Sequence, residues 1–342
     1  MTKMWKYAAL VAVLGVFSYY HGSIKKMFTI IEPDDEYEMV KKYLLNDSPL
    51  YGFNKPKIWI HTKYELNARK WRDFYSRNTY DLNQPYIHLT IRSIINHCSN
   101  DFHICLIDDE TFSKLIPTWD IQLSTVAEPL KSQYRQLGLA QLLYYYGGFV
   151  VPNSFLCSQN LKPMFERGIE GGKPFVCEAI NRTTSAKTRR FIPDTYFMGA
   201  KKNDPVIEEY LTYLKTRSFN GHITNVYEFL GDVEKGCIDK INHGKMNLIG
   251  GEYIGIKTVK NKPVLIEHLM EDHFLDLPEN IYGIYIPDED LLKRTKYSWF
   301  CVLTTQQLME TNNFISHQLK ASLVDSVSIY RKKPENKSMI SI

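Results

Sequence analysis

What the chain lacks bounds its chemistry before any motif is read. It has no C-x-x-C pair, which excludes the common structural zinc sites. None of its ten histidines falls in H-E-x-x-H spacing, so the zinc-peptidase arrangement is absent. G-x-S-x-G, the G-x-x-x-x-G-K-S/T loop and G-x-G-x-x-G are all missing, leaving serine hydrolase, P-loop kinase and dinucleotide-enzyme readings without a foothold. Basic residues barely outnumber acidic ones, 42 to 38 for a net charge of +4. No basic run is interleaved with aromatics, so the pattern of a nucleic-acid surface is not there. Internal repeats and low-complexity tracts are also absent, which removes solenoids from consideration.

What is present is core material. Of 342 residues, 44% are hydrophobic and 13% aromatic, enough to bury one large domain and too apolar for global disorder. The 23 tyrosines suit clefts that hold sugars or bases, since the ring offers an apolar face and a polar edge. Six cysteines stand far apart, at 98, 105, 157, 177, 237 and 301. That spacing fits buried thiols, or disulfides if the domain faces an oxidising lumen.

The amino terminus carries an uncharged apolar stretch, Tyr7–Tyr20, with Lys3 and Lys6 before it and Lys25 and Lys26 after it. A full span needs about 20 residues; Trp5 and the flanking aromatics extend the stretch toward that length. Bulky residues follow it where a signal peptidase prefers small ones. We expect an uncleaved anchor helix over 1–26 and single-pass membrane localisation, followed by a linker over 27–54, a domain over 55–330 and a flexible tail over 331–342. N-x-S/T sequons occur at Asn46, Asn181 and Asn336.

Within the domain, Lys57–His61 reads as a buried strand after Pro56. Pro85–Cys98 reads as a helix, with Ile87, Ile91, Ile94 and Ile95 at helical spacing. Asp101–Asp108 is a second strand, and 111–115 starts a short helix. Leu130–Tyr146 is a long helical pattern broken at Gly147-Gly148, and a strand then runs to Pro152, which cannot donate to a ladder. Further strands are expected in 173–180 and 190–200, a helix capped by Asp204 over 204–216, a hairpin at Gly250-Gly251 and a late strand over 296–304. This alternation predicts a mixed α/β sheet with parallel pairing. Ligands then bind beyond the carboxyl ends of the strands, near Trp59–Thr62, Asp108-Asp109 and Pro152–Phe155.

The run L-L-Y-Y-Y-G-G-F-V-V-P-N-S, Leu142–Ser154, resembles the central motif of the capsular-polysaccharide and family 32 glycosyltransferases. There S-D-x-x-R precedes an apolar helix ending L-Y-x-Y-G-G, and a strand closes with D-x-D. K-P-K-I-W-I-H at Lys55–His61 and F-M-G-A-K-K at Phe197–Lys202 extend the resemblance to roughly 55–215. The segment Leu248–Phe300 resembles the tail of proteins of this type in large DNA viruses. The resemblance implies a GT-A-like, Rossmann-type mixed sheet flanked by helices. It also implies a nucleotide-sugar donor, a glycan or protein acceptor, and a divalent cation that neutralises the leaving diphosphate.

The acidic clasp is replaced. Pro152, Asn153 and Ser154 stand where D-x-D belongs, and Gln136 and Leu139 stand for the Asp and Arg of S-D-x-x-R. Neutral oxygens hold Mn²⁺ or Mg²⁺ weakly, so a cation is a doubtful cofactor and no metal ligand is assigned. The candidate catalytic residues are Asp108, Asp109, Arg135 and Asp194. Asp108 and Asp109 offer carboxylates, Arg135 a diphosphate contact and Asp194 an acceptor-side base. The candidate donor-binding residues are Trp59, His61, Gly147, Gly148, Asn153, Ser154 and Lys201. Structural roles compete for each of these positions: a helix cap for Asp108-Asp109, a helix-surface charge for Arg135, and turn chemistry for Asn153-Ser154 and Lys201. The expectation is a membrane-anchored transferase, with a catalytically inactive binding or structural relative as the alternative.

Overall fold

A computed structural model of the chain describes residues 55–62, 84–117, 119–180, 191–219 and 226–331. All of these belong to one compact unit, 43–342. The expected anchor and linker, the expected tail beyond Arg331 and all three sequons lie outside the described residues. Among the described residues no helix is long and apolar enough to cross a membrane.

The first half follows the sequence pattern. Strand β1 is Lys57–His61, helix α1 Tyr86–Cys98, strand β2 His103–Ile107 and helix α2 Thr111–Leu115. Helix α3 is Leu130–Tyr146, strand β3 Gly148–Val150 and strand β4 Phe155–Cys157. The second half adds helix α4 (Lys162–Gly168), strands β5 (Phe175–Glu178) and β6 (Pro193–Ala200), helices α5 (Pro205–Phe219) and α6 (Val226–Asn242), and strand β7 (Asn247–Ile249). It ends with helix α7 (Ile266–Met270), strand β8 (Gly283–Tyr285) and helices α8 (Asp288–Lys293), α9 (Thr305–Glu310) and α10 (Phe314–Arg331). Helix α5 starts as its sequence predicts: the Asp204 carboxylate accepts from the backbone N–H of Val206 at 2.8 Å and Ile207 at 3.2 Å, filling two donors that a helix start leaves open.

Six strands form one sheet in the order β2-β1-β3-β6-β5-β7. Pairs β1–β2, β1–β3 and β5–β7 are parallel. Strand β6 is antiparallel to both β3 and β5, so it alone runs against the rest. The sheet is mostly parallel and flanked by helices, consistent with a Rossmann-like architecture. Strands β4 and β8 pair antiparallel in a separate small sheet.

Side-chain alternation along the strands builds two apolar layers. One contains Trp59, Cys105, Ile107, Val150, Val176, Met198 and Ala200, packed with residues of α2, α3, α5 and α6. The other is aromatic: Phe149 lies against Phe165, Phe175 and Phe197 at centroid distances of 5.0–6.1 Å. Phe155 joins it through Phe197. Gly199 lets Phe175 lie directly on the sheet, since a Cβ there would stand 2.3 Å from the Phe175 ring.

Two sequence expectations fail in the second half. Gly250-Gly251 opens a 3-10 turn, Gly251–Tyr253, rather than joining two hairpin strands. The stretch expected as a late strand forms a 3-10 helix, Ser298–Val302. There Phe300 and Cys301 are buried while Trp299 and Val302 are exposed. Adjacent buried residues do not match the period of two that a half-buried strand requires.

Candidate functional site

The strands place charge at one end of the sheet. His61 closes β1, Asp108 and Asp109 follow β2, and Pro152 follows β3. All three strands are parallel, so these residues share the carboxyl edge. Helix α3 runs back along the sheet and places Arg135 near its start.

Arg135 is 3% exposed and grips Asp109 with both arms of its guanidinium. Its Nε donates to Oδ1 at 2.8 Å and one terminal nitrogen to Oδ2 at 2.7 Å. This is the fork geometry that makes arginine–carboxylate pairs strong. His61 Nε2 lies 3.0 Å from Asp109 Oδ1, and its ring stacks on Phe112 at 5.5 Å and 11°. Glu128 sits 3.6 Å from the other arginine nitrogen and receives hydrogen bonds from the Ser132 amide and hydroxyl. Burial disfavours charge on Asp109, but the hydrogen bonds and charges of His61 and Arg135 outweigh it. The carboxyl is held well below the usual aspartate range. A carboxylate so firmly ionised is a poor proton acceptor, so Asp109 serves here to hold the Arg135 guanidinium and the His61 ring.

Asp108 has a different task. Its Oδ1 accepts from the amides of Glu110 and Thr111 and from the Thr111 hydroxyl, which caps the start of α2. Asp194 enters from β6, whose reversed direction brings its start to this same edge; its Oδ1 accepts from the Tyr196 amide at 2.9 Å. Burial first, then Glu289, push the Tyr196 phenol up, and Arg135, Asp194 and Glu128 also act on it. Glu128, Tyr196 and Glu289 thus belong to the neighbourhood although sequence reasoning missed them. Glu128 had a signal, an acid at the entrance of α3 before Pro129; Glu289 had none.

Four of the expected donor-binding residues are not at this edge or not available there. Trp59 is fully buried, and its indole N–H donates to the Gly147 carbonyl at 2.9 Å, so it offers no face for a base to stack on. Gly147 and Gly148 sit at the amino end of β3, away from Pro152. Their φ values are +68° and +105°, and a Cβ on Gly148 would stand 2.3 Å from the Lys57 carbonyl oxygen. On Gly147 it would stand 2.7 Å from the Lys202 nitrogen. The double glycine therefore meets a close approach of backbone to backbone that a side chain would block. Lys201 is exposed and follows the end of β6, where Gly148 pairs with Ala200. The antiparallel course of β6 carries it to the amino edge.

Asn153 and Ser154 do lie at the carboxyl edge. The Thr90 hydroxyl donates to the Asn153 carbonyl at 2.5 Å, and the Ile286 amide to the Ser154 carbonyl at 3.2 Å. These residues do not fit a divalent cation: neither side chain is ionisable, and Asp109 lies two strands over, roughly 10 Å away, committed to Arg135 and His61. Among the described residues no group of three or more His, Cys, Asp or Glu is arranged to hold a metal ion. Two buried polar atoms at this edge lack hydrogen-bond partners, Ser154 Oγ and Gln136 Oε1. Gln136 spends its amide N–H on the Thr195 carbonyl at 3.0 Å and the Tyr210 hydroxyl at 3.2 Å, tying α3 to β6 and α5. Buried polar atoms are rarely left unpaired, and these two flank the start of β6 and the end of β3.

No family model and no curated protein sequence matches the chain. Among solved structures it is similar to one named PaToxG Glycosyltransferase, at 13% identity and a TM-score of 0.33, over 55% of this chain and 70% of that one. A likeness of that size carries no argument about function.

Proposed function

We propose that the chain is a glycosyltransferase-like protein that takes a nucleotide-sugar donor at the carboxyl edge of its sheet without a carboxylate-held metal. The observation that carries this reading is the cluster of His61, Asp109 and Arg135, drawn from three separate elements, with Arg135 buried and Asp109 half-buried, where an α/β sheet presents ligands. In this reading Asp109 orients His61 and Arg135, and the Arg135 guanidinium meets the leaving diphosphate where a divalent cation otherwise would. Ser154 Oγ and Gln136 Oε1 remain for polar groups of the donor or acceptor. In this reading the apolar stretch at 7–20 tethers the domain to a membrane and the acceptor is a glycan or protein hydroxyl.

A second reading has its own support. Asp109 is held by Arg135 and His61, and Asp108 Oδ1 by the start of α2, so both carboxylates that follow β2 already have structural roles. That favours a catalytically inactive, anchored binding or structural protein. Calorimetric titration with UDP- and GDP-sugars in EDTA, paired with an assay of donor turnover, separates the two. The transferase reading expects saturable metal-independent binding with turnover. Binding without turnover supports the second reading, and no binding at millimolar donor overturns the first.

A further inference from the structure

Of the six cysteines, two meet. Cys98 closes helix α1 and Cys157 closes strand β4, and their sulfurs stand 4.0 Å apart. Both side chains are fully buried. The elements that carry them are fastened on either side of the contact: the Ser93 hydroxyl accepts from the Cys157 amide at 2.8 Å, and Thr90 bonds the Asn153 carbonyl at the head of β4. The sulfurs are therefore presented to each other by a fixed helix–strand pair. The other four thiols have no sulfur partner. Cys105 donates to the His103 carbonyl, Cys301 to the Gln84 side chain, and Cys177 and Cys237 are buried apart.

We propose that Cys98 and Cys157 form a structural disulfide when the chain folds in the presence of a disulfide oxidant, and that the other four cysteines stay as thiols. A thiolate of the pair attacks the oxidant's S–S bond and releases one thiol. The second thiolate then displaces the other. One S–S bond breaks and one forms, and two protons and two electrons leave with the oxidant as two thiols. Bond formation needs the sulfurs to close from 4.0 Å to about 2.05 Å. The crosslink ties α1 to β4 across a sequence separation of 59 residues, enclosing β2, α2, α3 and β3. Burial first, and then Cys98, push the Cys157 thiol well up. Exchange in the folded state is therefore slow, and the bond is a staple closed during folding rather than a reactive switch. This inference is independent of the donor site.

The full-length chain, unfolded and refolded in detergent with a glutathione redox pair, tests it by alkylation and non-reducing peptide mass mapping. The expected product is a single linkage, Cys98 to Cys157, with the other four cysteines alkylated. It should be lost in Cys98→Ala and kept in Cys301→Ala. Reductant should lower the wild-type Tm by on the order of 5 °C and leave the Cys98→Ala Tm unchanged. Six alkylated cysteines after oxidative refolding, or a dominant linkage between other positions, would overturn the proposal; the wild-type map decides this even if Cys98→Ala does not fold.

Discussion

The two ends of the same sheet are built for different purposes. At the amino edge, backbone touches backbone: Gly148 lies under Lys57, Gly147 accepts the Trp59 indole and Lys201 points to water. At the carboxyl edge, charge is gathered under cover by His61, Asp109 and Arg135, with Glu128 beside them. The most visible motif in the sequence, Y-Y-Y-G-G, belongs to the first end. The residues capable of chemistry belong to the second, and they are scattered along the chain. A motif's visibility thus reflects how many neighbouring residues a constraint binds together. It does not show that the constraint is catalytic.

Substitutions that break one end should leave the other readable. The largest effect is expected from Gly148→Ala. Its Cβ would be driven to 2.3 Å from a carbonyl oxygen at a φ of +105°, so stability should fall by more than about 4 kcal/mol or soluble protein should be lost. Urea unfolding measures this, and a variant of wild-type stability would refute the close-approach account.

Arg135→Met comes next. It strands Asp109, a carboxylate otherwise held by His61 alone, and breaking a buried pair this way costs about 3–5 kcal/mol. The same unfolding experiment should show the cost at neutral pH and show it shrinking in acid.

Asp109→Asn sharpens the point through pH. The folded carboxyl lies below its ordinary range, so its ionised form contributes stability that is present above the unfolded value of about 4. That contribution is lost as pH falls through the lower folded value. Wild type should exceed Asp109→Asn in stability at neutral pH, and the margin should close as the pH falls below about 4. A margin that grows in acid would reverse the assigned sign.

Trp59→Phe is the smaller test of the amino edge. It leaves the buried Gly147 carbonyl without its donor, a loss of about 1–3 kcal/mol, and should not alter donor binding.

Much of the sheet was legible because its strands are short apolar runs between clear punctuation. Pro56 and Pro152 bracket β1 and β3, the isoleucines of α1 keep helical spacing, and Asp204 with Pro205 marks α5. The late segment 296–304 was misread because a 3-10 turn with two adjacent buried residues and a short buried strand look alike in composition. At the site, Asp109 and Arg135 were legible as charges next to apolar elements. The placement of Lys201 was not, because the direction of β6 decides which edge it reaches and strand direction leaves no local mark. The burial of Trp59 was hidden for a related reason: its position near a strand's end suggested the rim, but the pleat turns its ring into the core.

The most direct test of the account is calorimetric titration of UDP in EDTA against wild type, Arg135→Met and Lys201→Met, each first shown to be folded. The account predicts saturable binding to wild type, a loss of at least tenfold in affinity for Arg135→Met, and no change for Lys201→Met at the opposite edge. Equal weakening by both substitutions, or binding that appears only when Mn²⁺ is added, would contradict it.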